Sequence, residues 1–205
     1  MIRMIDKKQK MKTKSMKVLN FSKKLFETKL TEADTYFREK ANDSNINDNM
    51  IKGFERFLEC FDSFLEDILK VDDIEECNII VYGKVTLENG SIIRAINKYH
   101  NKPWFSNVAI SMDSDESSNY QSDEGLCYGK ILLMVKIEIE KKPSLSLALV
   151  QWYDFKFQNN PYLYYCPLLK LVDLYNLISI ETIDNIVHII PRFDKNNEYF
   201  VNKYI

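Results

Sequence analysis

From Tyr82 to Ile205 the chain is a succession of short β-type segments, opening on Tyr82-Gly83-Lys84-Val85 and returning to the same phrase at Tyr128-Gly129-Lys130-Ile131. Segments of this length, rich in β-branched and aromatic residues, are not held by local contacts. They must close on one another, and a partly open antiparallel barrel is expected. Asn89-Gly90 separates residues 78–87 from 91–99, and because both tolerate positive φ this pair is the strongest hairpin signal in the chain. A third strand is expected over 104–112, after a turn at Lys102-Pro103. Residues 126–139 and 145–153 flank Lys141-Lys142-Pro143 and read as a long hairpin, with later strands at 168–178 and 186–190 and a single turn between those two.

The preceding part has another pattern. Phe21 to Ala41 has weak helical character, with Thr31 and Asp34 in a capping arrangement, and Asn42 to Asn49 has linker composition. Phe54, Phe57, Leu58, Phe61, Phe64, Leu65, Ile68 and Leu69 then recur at three- and four-residue spacing. That spacing predicts an amphipathic helix over 51–70 whose aromatic face docks on the barrel, with another chain as the alternative. The expected organisation is a basic, disordered arm over 1–24, a helical extension over 25–75 and a β domain over 78–205. The fold class is mainly β, α+β overall: an antiparallel barrel preceded by one or two helices.

Charge is unevenly spread. Residues 1–24 carry nine Lys or Arg against Asp6 alone, a net of +8 that leaves −10 on the rest of a chain whose total is −2. A basic arm on an acidic body implies different partners for the two parts. Lys7, Lys8, Lys10, Lys12 and Lys14 suit a nuclear-import signal or a sequence-blind contact with nucleic-acid phosphates. Lys10, Lys12, Lys14 and Lys17 interrupt any apolar h-region, and no apolar run approaches the roughly 18 residues of a membrane helix. An intracellular protein without membrane association is expected, with the nucleus as the candidate compartment. Cys60, Cys77, Cys127 and Cys166 lie 17, 50 and 39 residues apart, a spacing that indicates neither a zinc site nor a disulfide framework.

The densest chemical feature is aromatic: Trp152, Tyr153, Phe155, Phe157, Tyr162, Tyr164 and Tyr165 place seven rings within fourteen residues, beside Asp154. Rings around an acid can cage a methylated ammonium, whereas core filling is the commoner use of such rings. Arg94, Lys98, His100 and Lys102 lie near Trp104 and Phe105, a basic and aromatic patch of the kind that holds single strands. The acidic stretch Asp113 to Gly125 lacks the Gly and terminal Glu of an EF-hand loop and reads as an exposed mobile loop. Cys127 or Cys166 with His100 or His188 offers the residue types for nucleophilic catalysis, but Cys127 and His188 fall inside expected strands. No G-x-G-x-x-G or G-K-[ST] phrase occurs. No enzyme, cofactor or metal is expected.

Tyr128-Gly129-Lys130-Ile131, the Leu147 to Phe155 strand with Trp152-Tyr153, and the Ile178 to Ile190 segment resemble the order of elements in a bromo-adjacent homology (BAH) domain. Pro103 to Val108, Cys127 to Lys130, Gln151 to Phe155 and Val187 to Phe193 further resemble a highly repeated domain of fungal genomes found beside transposase-derived sequence. That second family implies no activity. The first implies a BAH-like or SH3-like barrel that binds a basic protein tail or a chromatin-associated partner, with Tyr128, Trp152, Tyr153, Asp154 and Phe155 as the ligand surface. In this chain Asp154-Phe155 stands where BAH domains have Arg-Pro-Glu character. The alternative is a nucleic-acid-binding accessory domain derived from a mobile element, acting through the lysine arm.

Overall fold

The computed structural model describes residues 18–66, 76–111, 125–156 and 166–202. The helix expected from Phe21 begins only at Ala33, because Val18–Lys29 is strand β1, paired antiparallel along nearly all of β2 (Cys77–Leu87). Helix preference in a lysine-rich stretch is a weak local bias, and an open ten-residue strand edge outweighs it. Lys23 at φ 60° and a register shift between Lys24 and Phe26 bend β1 midway. The basic arm therefore ends inside a strand, and its earlier lysines, Lys7 to Lys14, lie outside the described residues.

Helices α1 (Ala33–Ala41) and α2 (Asp48–Phe64) follow. Asn47 caps α2 by accepting from the Asn49 backbone N–H. The docking expected of the aromatic face occurs: Met50, Phe54, Phe57, Phe61 and Phe64 are buried with Phe37 of α1 against Leu133, Val135, Leu149 and Leu177 of the sheet. Gly53 sets how closely α2 approaches, since a Cβ there would lie 2.6 Å from Cγ of Leu133. Helices and sheet thus share one core.

The sheet continues through β3 (Ile92–Tyr99), β4 (Lys102–Phe105), β5 (Asn107–Ser111), β6 (Leu126–Ile139), β7 (Leu145–Phe155), β8 (Leu168–Ser179), β9 (Ile183–Pro191) and β10 (Tyr199–Asn202). The single expected strand over 104–112 is two, divided at Ser106. A 3-10 turn at Ile180–Thr182 joins β8 to β9, where a single turn is expected. All pairings are antiparallel. They run β4-β3-β2-β6-β5-β9-β10-β8-β7, and β7 also pairs with β6, so the path closes on itself through six strands. One small cluster draws a residue from each of those six: Ala109, Tyr128, Tyr153, Leu169, Ile189 and Val201. A second core, with Ile131, Met134, Val150, Trp152 and Ile178, fills the opposite face of β6 and β7.

Gly129 lies opposite Trp152, and a Cβ there would come 2.1 Å from Cγ1 of Val150. Gly129→Ala is expected to destabilise the protein by about 1–3 kcal/mol through overpacking. Thermal unfolding checks this, and the added Val150→Ala change should recover part of the loss.

Candidate functional site

The five residues expected to form the ligand surface, Tyr128, Trp152, Tyr153, Asp154 and Phe155, do not all lie on one face. Trp152 is 4% exposed, lies in the second core and donates its Nε1–H to Asn176 Oδ1 at 2.8 Å. Tyr153, its neighbour in an extended strand, points to the other face. There its hydroxyl donates to Asn107 Oδ1 at 3.1 Å, its ring meets Tyr199 edge to face, and burial raises its pKa. Asp154 is exposed, 3.9 Å from Lys170 Nζ, and Phe155 is half-buried with its ring centroid 6.0 Å from that of Tyr128. Strand alternation therefore divides the rings between two cores. Phe157, Tyr162, Tyr164, Tyr165 and the acidic stretch 113–124 lie outside the described residues, as do Lys7, Lys8, Lys10, Lys12 and Lys14.

Tyr128, although buried, lines a groove of about 780 Å³ elsewhere on the molecule. Its origin is a split in the sheet. Through Asn107, β5 pairs with β6 on one edge and β9 on the other. At Ser106 the chain changes partners: the Ser106 N–H donates to Arg94 O at 2.8 Å, its Oγ accepts from Arg94 N at 3.0 Å, and its carbonyl accepts from Ile131 N at 2.9 Å. The strand before it, β4, is held by β3 while β9 goes on along β10, and no ladder joins β4 to β9. Pro103, Trp104 and Phe105 form one wall, and Asn185, Ile186, Val187 and His188 the other. On the floor, Ala109 sits between Tyr128 and Asn185 in cross-strand register, a small residue between two larger ones.

Two of the exposed large hydrophobic residues are on these walls, Trp104 at 47% and Ile186 at 39%. The Arg94 guanidinium stands 5.3 Å from the Trp104 ring and 4.8 Å from Tyr99, and Tyr99 meets Trp104 edge to face. Lys98, His100 and Lys102 are exposed on the same hairpin. The basic and aromatic patch read from the sequence is thus assembled in space. Its opposite wall on β9 had no comparable signal, because Ile186 and His188 read as ordinary members of an apolar strand.

Three of the four thiols are held protonated by their surroundings. Burial pushes Cys60, Cys77 and Cys127 up to about 11, with Asp154 adding to the shift at Cys127, so these three are neutral thiols at physiological pH. Cys166 is half-buried. Among the described residues no group of three or more His, Cys, Asp or Glu gathers as a metal site, and no helix is long and apolar enough to cross a membrane. No known protein family, curated protein sequence or solved structure matches this chain.

The β9–β10 hairpin is fastened by ion pairs. Buried Glu198 accepts from Lys156, which follows β7, and from Arg192 at 3.0 Å. The Lys156 bond foremost, with Lys156 and Arg192 charge, holds the Glu198 pKa below its usual value despite opposing burial. A depressed carboxylate pKa stabilises the fold above the unfolded value of about 4.3 and loses that effect as pH falls through the folded value. The melting-temperature gap between the native chain and Glu198→Gln should therefore be widest near neutral pH and narrow progressively as pH falls below about 4.3. Trp152→Ala should cost about 3–5 kcal/mol of stability. Trp104→Ala should stay within about 1 kcal/mol by the same thermal measurement, since that ring is half exposed.

Proposed function

We propose that this chain is a non-enzymatic interaction module. In this reading the closed six-strand circuit is a small barrel of BAH-like or SH3-like kind, and the groove between β4 and β9 takes a segment of a protein partner. The observation that carries the reading is the groove itself, with Trp104 on one wall and Ile186 on the other standing in solvent. Exposed apolar side chains gathered at a concavity and rimmed by polar ones mark binding surfaces. The neutral thiols of Cys60, Cys77 and Cys127 support a binding role over a covalent one.

Of the partners that a BAH-like barrel implies, a basic tail meets the wrong charge here, because Arg94, Lys98 and Lys102 already occupy the hairpin. A neutral or acidic segment of a chromatin-associated protein fits the groove better. The stacking of Arg94 with Trp104 also favours a second reading, an accessory domain from a mobile element. There a base would stack on Trp104 while Lys7, Lys8, Lys10, Lys12 and Lys14 neutralise phosphates.

Anisotropy titrations of the full chain against a panel of histone-tail and acidic nuclear-protein peptides, and against single- and duplex-stranded DNA, separate the two. Peptide binding that falls at least about tenfold in Trp104→Ala and by much less than that between about 50 and 200 mM salt is expected. DNA binding that collapses over that salt range, and on replacing the five arm lysines by Gln, would instead establish the second reading.

A further inference from the structure

The sheet is left unfinished in the groove, and its two open edges specify more than a place of contact. In an antiparallel ladder, consecutive residues direct their N–H and C=O to opposite edges. Ser106 bonds toward β3 and β6, so Phe105 must direct its N–H and C=O the other way, toward β9. On the other wall Arg192 N bonds Glu198 O, which makes Ile190 with Phe200 and His188 with Asn202 the bonded pairs of β9 and β10. Ile189 between them directs its N–H and C=O toward β4. Strand parity thus turns Phe105, which lines the groove, and Ile189, next to the lining residue His188, toward each other's side, and no ladder joins β4 to β9.

We propose that the groove binds an extended acidic peptide by strand addition, resting on the interaction-module reading above. The peptide backbone pairs with Phe105 on β4 and reaches toward Ile189 on β9. Alternate side chains point down to the floor, where the small Ala109 leaves room for an apolar anchor between Tyr128 and Asn185. Side chains facing the hairpin meet Arg94 and Lys102, and among the described residues no carboxylate pairs with either cation. The β9 wall adds Asn185 and His188 and no acid. Charge therefore selects carboxylate-bearing segments, and the exposed backbone selects extended ones. Pro103 has no N–H to offer, which limits the pairing to a short segment centred on Phe105.

A library of random twelve-residue peptides displayed on phage, selected on the full chain and counter-selected on Ala109→Trp, tests this. Retained sequences should alternate apolar and acidic residues. A synthetic copy of the best one should lose at least about tenfold in affinity on N-methylation of a central residue and on Lys102→Glu, with backbone amide shifts at Phe105 and Ile189. Retained peptides that are basic, or that bind equally well when N-methylated, overturn strand addition by acidic segments while leaving a peptide-binding module in place. No groove-dependent peptide, or displacement of the bound peptide by oligo(dT) at lower concentration than by unlabelled peptide, overturns the inference and the module reading together.

Discussion

Strand β6 sets the limits within which the rest of the chain folds. One of its edges is covered by β7 from Tyr128 to Ile137, and the other is divided between β5 over Leu126–Lys130 and β2 over Met134–Ile139. Its two faces feed different cores, Leu133, Val135 and Ile137 toward the helices and Ile131 and Met134 away from them, with the register shift between Ile131 and Leu133 making the change. A strand edge can pair with one neighbour at a time. Because β2 holds the far half of that edge, the chain that forms β5 cannot continue along β6, and at Ser106 it turns to β3.

The groove follows from that conflict. β9 stays with β5 and β10, β4 departs with β3, and the sheet opens between them over a floor built from the six-strand circuit. Both walls stand on firmly fixed elements: the hairpin through the three Ser106 hydrogen bonds, and β9–β10 through Glu198, Lys156 and Arg192. Backbone groups held apart in this way are already arranged for a ligand, so binding need not repay the ordering of a loop. The charges follow the same division, with cations on the β3–β4 hairpin and Asn185 and His188 on the groove wall of β9.

Much of the sheet was legible in the sequence. Alternation and turn residues place β2, β3, β6, β7 and β8 within a few residues, and the phenylalanine spacing gives α2 and its docked face. β1 was not legible, since Lys23, Lys24, Leu25 and Glu27 favour a helix locally and the edge that overrides them belongs to residues more than fifty positions away. The candidate site was half legible. Proximity in sequence gathered Trp104 with Arg94, Lys98 and Lys102, but the same proximity misled at Trp152–Phe155, where adjacent strand residues are sent to opposite faces. The β9 wall depends on long-range register, which no local pattern encodes.

The split between β4 and β9 is the claim on which the functional account stands, and backbone hydrogen exchange of the unliganded protein tests it most directly. The amides of Phe105 and Ile189 should exchange with little protection, while those of Ser106 and Val187, bonded within the sheet, exchange far more slowly. Equal protection at all four positions would mean that the two walls are already joined, and would contradict the account.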